Sequence, residues 1–83
     1  MLSQEKLLKV IRKDLAGCRK AGRTLTDARG VERKKIEVTA LLKHVQMVKE
    51  AGADPTKLEA VVKSLEKHSL LSGHQHWREK ATI

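Results

Sequence analysis

The side chains of this sequence best able to do chemistry are four histidines, one cysteine and eighteen lysines and arginines. His74 and His76 stand two apart, whereas metal ligands on one helix pair at i, i+3 or i, i+4. His44 and His68 lie elsewhere, and Cys18 has no second thiol to complete a structural zinc set. The spacing supports no metal site, and the histidines read as surface side chains. A Gly-rich phosphate loop, a nucleophile beside a base and a His-Glu-x-x-His helix are all missing, so no cofactor is expected. Glu59 and Glu66 each fall one turn from Lys63, a spacing for solvated charge pairing. Cys18 occupies an apolar helical position, which suits a small core residue better than a nucleophile. As a lone cysteine it forms no intrachain disulfide, which fits a reducing compartment and an intracellular location. The expectation is a protein that is not an enzyme.

The cations are distributed unevenly. Net charge is +8, and residues 1–35 hold eleven basic against four acidic side chains, while residues 36–83 hold seven against six. Such asymmetry attracts nucleic acid, an anionic membrane surface or an acidic protein segment. Phe and Tyr are absent and Trp77 is the only aromatic, which counts against platforms that stack single-stranded bases. No apolar run approaches the ~18 residues of a membrane span. The first twenty residues lack the apolar core of a secretory signal; they are basic and amphipathic, as in a mitochondrial presequence, but Glu5 and Asp14 count against that.

The elements that must carry these residues are helices. Leu58, Val61, Val62 and Leu65 follow i, i+3, i+4, i+7, and Val38, Leu41, Leu42 and Val45 repeat that spacing. Between them Gly52-Ala53-Asp54-Pro55 reads as a helix stop, an N-cap and a first-turn proline, which makes a helical hairpin. Ahead of it, Leu8, Ile11, Leu15 and Cys18 form a third stripe, with Ser3 as N-cap and Gly22 as terminator. Residues 22–30 are a connector in which Leu25 tucks under the bundle. Thr26 or Asp27 caps the next helix early, or the loop persists to Gly30; both readings stand. After Leu70, Leu71-Ser72-Gly73 is a break. The remaining residues form either a short helix capped by Ser72 with Trp77 docked on the bundle, or a frayed tail.

The expected architecture is therefore one all-α domain over residues 1–83, with helices at about 4–21, 31–51 and 55–70 and a short fourth at 73–80. The middle helix is apolar over a broad surface, with Ile36, Ala40 and Met47 beside its main stripe, which suits the centre of a bundle or a homodimer contact. Its first turns hold Arg33, Lys34 and Lys35 where the helix dipole disfavours cations.

The run Val62-Lys63-Ser64-Leu65-Glu66-Lys67-His68 resembles the V-N-x-L-R-K-H segment of the transcription elongation factor S-II N-terminal domain family, shared with Elongin A and Mediator subunits. Leu41-Leu42-Lys43 and Trp77-Arg78 are similar to that family's Leu-Leu-Lys helix and the Trp-Lys of its last helix. Lys63 stands in place of the Asn and Glu66 in place of the Arg. The resemblance covers residues 38–80 and implies a nuclear helical bundle that binds short disordered motifs of transcription factors.

Function is accordingly expected to be docking of an acidic or amphipathic protein segment, with Lys9, Arg12, Lys13, Arg33, Lys34 and Lys35 as one charged rim. The alternative is sequence-independent nucleic-acid binding through the same cations. A helix-turn-helix at the hairpin fits less well, because Thr56-Lys57-Leu58-Glu59 offers few side chains that read base edges.

Overall fold

Short polar side chains set where the helices start. Ser3, Asp27 and Asp54 each accept a hydrogen bond from a backbone N–H in the first turn of the adjoining helix. Asp54 accepts two, from Thr56 at 2.9 Å and Lys57 at 3.3 Å, and Pro55 sits where a missing N–H costs nothing. The computed structural model describes residues 1–74 and 76–83, and every side chain within them except those of Ser72 and His74. It contains α1 (Gln4–Thr24), α2 (Ala28–Ala51), α3 (Pro55–Lys67), a 3-10 turn (Ser69–His74) and α4 (Trp77–Ala81). The fold is all-α; among the described residues the only extended pairing is an isolated bridge between Leu2 and Thr82. None of these helices is long and apolar enough to cross a membrane.

Several expected boundaries move. Helix α1 runs on through Gly22 to Thr24. Gly22 lies where α1 meets α2, where a Cβ would make an ordinary 3.6 Å contact with the Lys34 Cβ, and it does not stop the helix. Helix α2 begins at Ala28, three residues before the expected Val31, because Asp27 caps it; Leu25 then packs on Gly30. The hairpin holds as expected, with Gly52 at φ 61, in the left-handed half of the map. Helix α3 stops at Lys67 and the chain tightens into the 3-10 turn, which buries Leu71. Helix α4 starts at Trp77, later than the expected 73. The capping role given to Ser72 and the place given to Gln75 in that helix lie outside the described residues.

Helices α1 and α2 run antiparallel. The Gln4 side-chain amide donates to the Val48 carbonyl at 3.1 Å, and the Cys18 thiol donates to Glu37 at 3.4 Å. Helix α3 returns along the other flank of α2, burying all four of Leu58, Val61, Val62 and Leu65. The α1 stripe is centred on Leu7, Val10 and Ile11, with Leu8 only partly buried. On α2 the correction is larger. Leu42 is 45% exposed and Ile36 43% exposed, while Glu37 and His44 are buried in their stead.

Helix α4 closes the open side of α1. Trp77 is 1% exposed, and its indole N–H donates to Asp14 at 2.8 Å. Arg78 reaches α3, pairing with Glu59 at 2.6 Å and Glu66 at 3.2 Å, so these two acids converge on α4 rather than on Lys63 alone. The chain ends are tied together as well, since the Ser3 N–H donates to the Ala81 carbonyl and the Ile83 N–H to the Met1 carbonyl. A core this small supplies only ~3 to 5 kcal/mol net, and truncating a buried indole costs ~3 to 5 kcal/mol. Trp77→Ala is therefore expected to leave the chain largely unfolded at room temperature, read as loss of the helical circular dichroism minima; near-native helicity would show that α4 is dispensable.

Candidate functional site

Helix α2 is packed on both flanks, and each flank buries one polar side chain. Toward α3 it is His44, 3% exposed. Its Nδ1 lies 2.7 Å from the Ala40 carbonyl, which can only accept, so Nδ1 carries the proton. Nε2 is then free to accept from the Ser64 hydroxyl at 2.9 Å. Burial, assisted by the charges of His68 and Lys43, pushes the His44 pKa below its ordinary 6.5 and holds the ring neutral.

Above this pair lies a groove of about 400 Å³ between α2 and the end of α3. Its apolar lining comes from Ile36 and Ala40, its polar floor from His44, Ser64 and His68, and its rim from Glu32, Lys35, Thr39 and Lys43. Lys35, Thr39 and Lys43 are four apart and form one ridge along α2. The His68 Nδ1 is buried at the groove and has no hydrogen-bond partner among the described residues. A serine hydrogen-bonded to a neutral imidazole is a nucleophile-and-base pair that no sequence spacing announced. With the ring almost wholly enclosed, the pair locks α2 to α3 and keeps the groove floor polar.

Toward α1 the buried polar side chain is Glu37. It accepts from the Lys34 ammonium at 3.0 Å and from the Cys18 thiol. Burial first, and then the Glu37 carboxylate, push the Cys18 pKa up to about 11, so the thiol stays protonated at neutral pH. Cys18 is accordingly a core residue, in line with its place on the stripe. A second groove, about 460 Å³, runs here between α1 and α2, lined by Arg19, Val31, Lys34, Lys35 and Val38 among others. Among the described residues no cluster of three or more His, Cys, Asp or Glu side chains could hold a metal ion.

The six cations expected to form one rim fall into separate groups. Lys35 alone borders both grooves; Lys34 lines the second but is tied to Glu37. Arg33 is exposed and lines neither. Lys9, Arg12 and Lys13 are exposed on α1. Lys34 packs level with Gly22, which places Lys13 and Lys9 about 13 and 20 Å away along the axis at ~1.5 Å per residue. Lys43, Ile36, Ser64 and His68 went unremarked in the sequence as site residues. The available signal was that Glu37 and His44 share the phase of Leu41 and Val48, which marks polar groups inside a stripe.

No family model matches the chain, and no curated protein and no solved structure matches it either.

The neutral state of His44 has a measurable consequence. The unfolded chain takes up this proton near pH 6.5, above the pH at which the folded chain does. The stability it confers is complete above that value and declines as pH falls below it. Unfolding free energies from urea titrations at about pH 7.5 and about pH 5 should fall more in the parent than in His44→Gln, by up to ~1.4 kcal/mol per pH unit. Equal pH dependence in the two would show that the imidazole is not held neutral.

Proposed function

We propose that the chain is a non-enzymatic docking module that captures an acidic, amphipathic protein segment in the groove between α2 and α3. One observation carries this reading. Ile36, a β-branched aliphatic left 43% exposed, lies with Ala40 on the wall of a groove that two cations of the same helix, Lys35 and Lys43, also line. An aliphatic anchor on the partner would cover Ile36 and Ala40 while carboxylates on either side of it meet the two ammonium groups. The net charge of +8 favours such a partner before contact and hastens its encounter. Lys35 and Lys43 are eight residues apart, about 12 Å along the axis at ~1.5 Å per residue. That distance suits carboxylates roughly four residues apart in an extended segment, at ~3.3 Å per residue.

The resemblance to the S-II N-terminal domain family bears on the same place. Ser64 and His68, which belong to the Val62–His68 run, both line the groove. This supports a disordered transcription-factor motif as the occupant and the nucleus as the location.

The test is calorimetric titration with a short acidic peptide bearing a central leucine. Ile36→Ser and the double variant Lys35→Glu with Lys43→Glu should each weaken binding about tenfold or more, ~1.4 kcal/mol. Lys9→Glu should change it little. Unchanged affinity in the groove variants, or a loss confined to Lys9→Glu, would overturn the reading; a sedimentation mass twice that of one chain would assign the groove to a second copy.

A further inference from the structure

The outer face of α1 lies away from the α2–α3 groove, touches the second groove only at Arg19, and carries the densest charge in the molecule. Lys9, Arg12, Lys13, Arg19, Lys20 and Arg23 are all exposed. At about 100° per residue they fall within an arc of about 120°, centred opposite the buried Leu7, Ile11 and Cys18. The only acid between Lys9 and Arg23 is Asp14, and it is turned inward to Trp77 and His76. The strip is thus about 21 Å long, at ~1.5 Å per residue, with no carboxylate on its surface.

Its centre is bare. Ala16, exposed and carrying only a methyl group, sits at the middle of that arc, between Lys9, Arg12 and Lys13 toward one end of the helix and Arg19, Lys20 and Arg23 toward the other. So short a side chain leaves room for an external chain to approach the helix between two groups of cations.

We infer that this face is a second binding surface, independent of the groove, for the phosphate backbone of a nucleic-acid duplex. The strip spans about six phosphates of one strand at ~3.4 Å each, which matches its six cations. Between Lys9 and Arg23 it exposes no Leu, Ile, Val, Phe, Tyr or Trp side chain. An interfacial membrane helix needs an apolar face to insert, and single-strand binding needs aromatic platforms, so neither chemistry is provided for. The contact is with phosphates and carries no base readout.

The experiment is fluorescence anisotropy of the full chain with a labelled DNA duplex and a labelled RNA duplex of arbitrary sequence. Polyglutamate and phosphatidylserine vesicles serve as competing anions. The expected result is binding to at least one duplex, with log K falling against log salt at a slope of about −5. The stronger of the two identifies the helix form, and the competitors should not displace the duplex at equal charge. Arg12→Gln with Lys20→Gln should reduce the slope by about 2. Ala16→Leu keeps every charge and a good helix former, yet should weaken duplex binding about tenfold by holding the backbone off. The groove variants Ile36→Ser and Lys43→Glu should leave duplex binding within about twofold, so this surface and the docking groove succeed or fail separately. Absence of duplex binding at low salt, tighter binding to polyglutamate or vesicles, or full affinity in Ala16→Leu would overturn the proposal.

Discussion

Helix α2 cannot bury its two flanks without burying polar atoms, and the rest of the molecule is arranged around satisfying them. Unpaired, a buried imidazole or carboxylate would cost several kcal/mol, comparable to the net stability of a domain this size. His44 is met by a backbone carbonyl on its own helix and a hydroxyl from α3, and Glu37 by a thiol from α1 and an ammonium one turn away. These contacts fix the register of α2 against both neighbours more narrowly than aliphatic packing would, since Leu and Val slide with little change in energy. With α2 set in that way, its remaining surface is determined. Ile36 and Leu42 are left facing outward, and Lys35, Thr39 and Lys43 form the exposed ridge.

Two surfaces of different character result from that arrangement. The α2–α3 groove combines aliphatic wall, polar floor and sparse cations, a mixture suited to a partner that is itself amphipathic. The outer face of α1 between Lys9 and Arg23 is cationic and carries only the short Ala16 at its centre, a pattern suited to an evenly charged polymer. Helix α1 keeps this second face free because its other side is fully engaged: α2 covers one flank, and α4 covers the next through Trp77 and Asp14. A module able to hold a protein segment on one side and a phosphate backbone on the other would bring the two together without altering either.

Much of the fold is legible in the sequence where its signals are local. Gly52, Asp54 and Pro55 act within one turn of chain, and the Leu58, Val61, Val62, Leu65 stripe faces a single neighbour; the structure bears out both. The α2 stripe misleads because an apolar count tracks residue type, whereas burial tracks phase. Leu42 is expected inside and lies outside, while Glu37 and His44 are buried with no apolar character to mark them. Gly22 reads as a helix terminator because its partner, Lys34, is supplied by the next helix. The docking of Trp77 depends on Asp14, far away in sequence, so the pattern alone leaves it as one of two readings. The six cations of the expected rim lie on two helices, and on α2 the consecutive Arg33, Lys34 and Lys35 point about 100° apart, so they face different surroundings. The groove is invisible in the sequence because its residues come from two helices and its depth is set by side chains that no apolar pattern marks.

The most direct test of the central claim, that two separate surfaces bind two different anions, is a two-ligand NMR titration of the isotopically labelled chain. An acidic leucine-bearing peptide should shift the signals of Ile36, Thr39, Lys43 and His68, and a nucleic-acid duplex added afterward should shift those of Arg12, Ala16 and Lys20 with the peptide still bound. Displacement of the peptide by the duplex, or both ligands moving one common set of signals, would contradict the account.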